Sequence, residues 1–286
     1  LVHKIIKEKC KSIFDIKRYL QLLIDNLFRY VGDRYRKDIV LIGGDLSSDF
    51  DLFTIFVELL GNLIKVGCLN CDVIFILGNH ELWSFENKKL SYIIEKYKAL
   101  VRKNGMYLLQ NNLLFMSGEN ICEITTEELK DYAEKELLLK VRKSNLVFFG
   151  GIGFAGLNDE FNANSLIYKN TINREQEVDE SRKTESLYQK VCHSLFKKQV
   201  VIFTHMPLKD WSKDDKHCAN FIYLNGHTHK NYFYDDGVYR IYADNQVGYY
   251  QNTFNLKYFY IKKDYDFFEA YDDGIYKITR EDYIEF

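Results

Sequence analysis

Val73-Ile-Phe-Ile-Leu-Gly-Asn-His-Glu81 is the stretch that decides the fold. Residues 73–77 are all apolar, so this strand cannot leave one face in water. Gly78 ends it, and Asn79, His80 and Glu81 follow at once, three side chains able to ligate a metal or hold a proton. A strand buried on both faces lies in a layered α/β structure, and residues just past its carboxyl end sit where such sheets gather ligands.

The same pattern recurs on either side. Asp38-Ile-Val-Leu-Ile42 runs into Gly43-Gly44-Asp45. Val200-Val-Ile-Phe203 runs into Thr204-His205-Met206-Pro207, and Phe221-Ile-Tyr-Leu224 into Asn225-Gly226-His227-Thr228-His229. Leu146-Val-Phe-Phe149 enters a glycine-rich stretch, 150–156. Between the strands, apolar residues at helical spacing predict amphipathic helices over 12–31, 51–66 and 88–104. Short strands are expected near 106–109 and 113–116, a charged helix from the capping box Thr125-Thr-Glu-Glu128 to about 143, and a mostly solvated helix over 173–198.

The tail is strand-rich. Tyr234-Asp-Asp-Gly-Val-Tyr239 and Tyr271-Asp-Asp-Gly-Ile-Tyr276 nearly repeat one another, and Asp-Gly between such residues predicts two hairpins. No Pro/Gly/Ser-rich linker divides the chain. The expected architecture is one α/β domain over 1–286, built on a mixed sheet system, with a strand-rich C-terminal extension over about 251–286.

Composition narrows the class. The chain has 286 residues, is 47% hydrophobic and is too apolar for disorder. Its 39 Lys+Arg balance 41 Asp+Glu, so neither nucleic acid nor an anionic membrane is an expected partner. No apolar run reaches the ~20 residues of a spanning helix. Cys68-Leu-Asn-Cys71 lacks a second close pair to complete a four-thiolate zinc site. Reduced cysteines and a cytoplasmic location are expected.

Asp45, Asn79, His205, His227 and His229 thus arrive at one end of the sheets from segments far apart in sequence. Carboxylate, amide oxygen and imidazole together suit borderline divalent ions such as Mn, Fe, Zn or Co. Any one of these motifs alone is ordinary turn chemistry. Their joint occurrence at strand ends points to a metal centre.

Gly44-Asp45, Gly78-Asn79-His80-Glu81, His205 and Gly226-His227-Thr228-His229 resemble motifs two to five of the calcineurin-like metallophosphoesterases. The resemblance spans roughly 16–250, and Phe149–Gly156 with Thr204–Trp211 resembles a group of bacterial members. It implies a sandwich of two mixed β-sheets flanked by helices, and two divalent metal ions. It also implies that Asp45 bridges both ions, that Asn79, His205 and His227 complete one, and that His229 belongs to the other. His80 would then act beside the phosphate as general acid or charge stabiliser, with Glu81 a candidate to orient it.

Motif one of that family, Asp-x-His after a first strand, is not in this chain. Leu1-Val-His-Lys4 matches only its continuation, so the strand and motif are expected just upstream of Leu1, with a degenerate single-metal site and His3 as a displaced ligand the alternatives. A chain lacking motif one would hold its second ion weakly and be poorly active. The implied activity is hydrolysis of phosphomonoesters or phosphodiesters by a metal-bridging hydroxide, on a small phosphoester substrate. Two alternatives stay open: a catalytically impaired interaction module on the same scaffold, and a nuclease of the same fold. Gly43-Gly-Asp-Leu-Ser-Ser48 lacks the Asp-Arg-Gly of the protein phosphatases, which weakens that substrate class. Pro207, the chain's only proline, is expected to stiffen the turn that follows His205.

Overall fold

The computed structural model describes residues 6, 10–29, 31, 37–144, 146–158, 166–169, 171–229, 232–243, 253–261 and 270–279. His3, the displaced-ligand candidate, lies outside them, as does any motif upstream of Leu1.

Helix α1 (Ile13–Leu27) starts at Ser12, whose hydroxyl accepts from Asp15 N while Asp15 accepts from Ser12 N. Strand β1 (Asp38–Ile42), helix α2 (Phe50–Lys65), strand β2 (Cys71–Phe75), the short turn α3 (Asn79–Leu82), helix α4 (Leu90–Lys103) and strand β3 (Tyr107–Leu108) follow. The three strands form a parallel sheet in the order β1-β2-β3.

Strands β4 (Leu113–Ser117) and β5 (Asn120–Ile124) open the second sheet, and β5 was not foreseen. Helices α5 (Thr126–Asp131) and α6 (Glu134–Lys140) replace the single helix expected to 143. The break falls where Tyr132 turns extended and Glu136 accepts from Ala133 N, restarting the helix. Strand β6 (Val147–Gly151), helix α7 (Arg174–Leu195), strand β7 (Val200–Thr204), the turn α8 (Leu208–Trp211), and strands β8 (Phe221–Asn225), β9 (Tyr232–Asp235) and β10 (Arg240–Ala243) complete this half. The sheet order is β5-β4-β6-β7-β8-β10-β9, parallel at its centre and antiparallel toward both edges.

The period-two alternation of the strands builds the sandwich. Ile74, Ile76, Phe148, Val201, Phe203 and Ile222 share one buried cluster between the sheets. Their neighbours Val73, Phe75, Phe149, Val200, Ile202 and Phe221 point outward into the larger cluster beneath the helices. The central strands of both sheets are therefore covered on both faces, as the apolar runs predicted, while the edge strand β9 is exposed.

Close pairing of β6 and β7 depends on Gly150. A Cβ there would run into the Phe203 carbonyl, its register partner. Gly150→Ala is expected to destabilise the fold by roughly 2–3 kcal/mol, measurable as a lower denaturant midpoint. A midpoint at the wild-type value would contradict this packing.

Three expectations are corrected. The second Asp-Asp-Gly repeat is no hairpin. It lies inside β12 (Ala270–Thr279), paired antiparallel along β11 (Thr253–Ile261), with Gly274 opposite Tyr258. A long partner strand overrides local turn preference, whereas Asp236-Gly237 does turn β9 into β10. Helix α7 is not mostly solvated, since Glu177, Ser181, Thr184, Leu187, Tyr188 and Val191 are buried. Cys192 and Cys218 form a disulfide, while Cys68 and Cys71 are free thiols.

Candidate metal centre

Asp45 follows β1, Asn79 and His80 open α3 after β2, His205 follows β7 and His227 follows β8. Parallel pairing ends β1 level with β2 (Ile42 beside Phe75) and β7 level with β8 (Thr204 beside Asn225), so the loops converge. One ligand atom each from Asp45, His205 and His227 lie within 4.8 Å of one another. Asn79 Oδ1 is 3.2 Å from His205 Nε2 and 3.2 Å from His227 Nδ1. Asp45 Oδ2 is 3.4 Å from His205 Nε2 and 3.8 Å from His80 Nε2, and Asp45 Oδ1 accepts from His80 N at 3.0 Å.

The surrounding bonds decide which atoms face inward. His205 Nδ1 is 2.8 Å from the Gly43 carbonyl, where it can only donate. Asn79 Nδ2 donates to Ile167 O at 2.8 Å, which turns Oδ1 toward the imidazoles. A neutral His205 then sets its Nε2 lone pair against that of Asn79 Oδ1, beside the Asp45 carboxylate. Such a gathering of acceptors suits a cation, so the residues present fit a divalent metal.

The electrostatics agree. Burial raises the Asp45 pKa, but the charges and hydrogen bonds of His205 and His80 together outweigh it and hold the carboxyl below its usual range. Burial lowers the His205 pKa, but Asp45 outweighs it and lifts the imidazole to about 9. Burial, then the His205 charge, lowers His227 to about 4. A proton on His205 thus occupies the place of a cation. That proton stabilises the metal-free protein fully below the unfolded histidine pKa of about 6.5, and the effect is lost as pH rises through about 9. Metal must displace it. Manganese uptake at pH 7 is expected to release about one proton, and affinity to rise with pH up to about 9. Calorimetry in buffers of different ionisation enthalpy reads this directly, and an affinity flat between those two pH values would contradict it.

Asp45, His227 and His229 have positive φ, at 55°, 66° and 55°. Left-handed non-glycine residues cost roughly 1–3 kcal/mol each and persist only where their surroundings hold them. At Asp45 the holding group is Glu81. Its fully buried carboxylate accepts from Asp45 N at 2.9 Å, Ser47 N at 3.0 Å and Gly78 N at 2.7 Å. The sequence suggested that Glu81 orients His80. The carboxylate instead ties the Asp45 loop to the loop after β2. These loops pack so closely that a Cβ on Gly78 would strike Asp45.

His80 rests against Trp83 instead, ring centroids 3.7 Å apart and planes 24° apart. Burial, its largest influence, lowers the His80 pKa against the pull of Asp45. His229 is exposed and stands outside the group of three, although its charge reaches His80 and His227. Pro207 caps α8 with φ −63°, and Thr204 Oγ1 and Trp211 Nε1 both donate to Met206 O, so the turn after His205 is fixed from three sides. Trp83, Ile167 and the clamping role of Glu81 were missed in the sequence.

The family model for calcineurin-like phosphoesterases matches residues 15–231. No curated protein matches the chain. The solved phosphopantetheinyl hydrolase from Mycobacterium tuberculosis is similar at 12% identity and a TM-score of 0.42, over 72% of this chain and 78% of that one.

Proposed function

This chain belongs to the calcineurin-like phosphoesterase family, and from that premise we propose that it is a metal-dependent phosphoesterase acting on a small phosphoester. The observation that carries the reading is the convergence of Asp45, Asn79, His205 and His227, with Asn79 Oδ1 equidistant from two imidazoles. These four residues would hold one ion, and Asp45 with His229 would contribute to a second. Manganese, iron, zinc and cobalt all suit this donor set. When bound, such ions supply Lewis acidity and a water acidic enough to attack phosphorus near neutral pH.

The chain's own residues do the rest. Asp45 is held in its strained conformation by Glu81, so its carboxylate needs no rearrangement to meet an ion. His205 is locked by Gly43 O with Nε2 inward. His80 is partly exposed at the site's edge, its plane set by Trp83. With a lowered pKa it is mostly neutral near pH 7, so it donates an N–H to charge developing on the phosphoryl oxygens.

The test is an assay with added Mn²⁺ on p-nitrophenyl phosphate and bis(p-nitrophenyl) phosphate. Turnover of at least one ester, abolished by a chelator and restored by Mn²⁺, is expected. No turnover on either with metal bound would favour an interaction module on this scaffold.

A further inference from the structure

A cation stands over the Trp83 ring against which His80 is stacked. The 3₁₀ turn Leu166–Tyr168 is pinned onto α3 and Trp83 through the Ile167 carbonyl and the nearby Thr171 hydroxyl. Ile167 O accepts from both Asn79 Nδ2 at 2.8 Å and Trp83 Nε1 at 2.7 Å, and Thr171 Oγ1 donates to Leu82 O at 3.1 Å. Lys169, between these anchors, is exposed and has a positive φ of 45°. Glycine would take that conformation without strain, yet a lysine stands there. Its ammonium lies 4.0 Å from the centroid of the Trp83 ring, the ring on which His80 is stacked. Its charge is felt at His80. Among the described residues no carboxylate pairs with it.

We propose that Lys169 is a substrate-binding residue that selects for the dianionic phosphate of a monoester over the monoanionic phosphate of a diester. The inference rests on the phosphoesterase reading of the site and names its substrate class. A strained, triply anchored turn delivers the ammonium to Trp83, the ring that carries His80 at the edge of the centre, and a cation–π contact holds it there. An ammonium is a compact point charge, suited to a phosphate oxygen without demanding one orientation. Its attraction grows with ligand charge, so a dianion gains more than a monoanion from the same contact.

The experiment measures binding apart from catalysis. Manganese-loaded wild type, Lys169→Gly and Lys169→Arg are titrated with inorganic phosphate at pH 8, a dianion, and with dimethyl phosphate, a monoanion. Lys169→Gly removes the charge while relieving the backbone, so loss of folding does not confound it. Phosphate affinity is expected to fall about tenfold in Lys169→Gly and to stay within about threefold in Lys169→Arg, with dimethyl phosphate changed less than twofold. In the ester assay, KM for the monoester should rise about tenfold in Lys169→Gly, with kcat within about threefold. Unchanged phosphate affinity in Lys169→Gly, or equal losses for both anions, would overturn the proposal. That outcome is distinct from failure of the phosphoesterase reading, in which wild type turns over neither ester whatever residue stands at 169.

Discussion

Asp45→Asn is expected to lose manganese and turnover together while keeping the fold. The substitution preserves shape and removes the one anionic donor among the four converging groups. Groups that merely support metal ligands cost 10–100-fold in affinity when lost, so losing the carboxylate itself should cost at least about 100-fold. Hydrolysis should drop to background at micromolar metal. The His205 imidazole also loses the charge that lifts it to about 9, so its pKa should fall. Metal content after dialysis, read beside the far-ultraviolet circular dichroism spectrum, checks this. A folded variant with full manganese content would remove Asp45 from the site.

His80→Asn is expected to separate chemistry from metal binding. The His80 ring is 3.8 Å from Asp45 Oδ2 but is not one of the three groups whose ligand atoms cluster. Loss of a positioned donor or proton-transfer group costs typically 10²–10⁴-fold, so kcat should fall by about 100- to 1000-fold with manganese content unchanged. Removing the ring stacked on Trp83 should also alter tryptophan emission. Parallel loss of metal and turnover would make His80 a ligand.

Much of this was legible in the sequence, for a physical reason. Stretches such as 200–203 and 221–224 are continuous apolar runs, and the polar residues just past them have nowhere to go but the sheet end. What hydrophobicity could not reveal is buried polarity. Along α7, Ser181 donates to Phe154 O at 2.7 Å and accepts from Gly156 N at 2.9 Å, and Thr184 donates to Asn111 Oδ1 at 2.9 Å. These side chains face the core because partners await them there, and composition alone reads that face as solvated. The Cys192–Cys218 bond likewise depends on α7 lying against the segment before β8, a tertiary fact. Glu81 was visible as part of Gly-Asn-His-Glu. Its work on Asp45 N and Ser47 N was not, because a residue 36 positions away gives no local signal.

The central claim is that Asp45, Asn79, His205 and His227 surround a metal. Anomalous diffraction from crystals soaked in Mn²⁺ tests it most directly. The account predicts a manganese peak bounded by Asp45 carboxylate, Asn79 Oδ1, His205 Nε2 and a His227 ring nitrogen. Manganese found elsewhere, with the Asn79–His205 contact of 3.2 Å left intact, would contradict it.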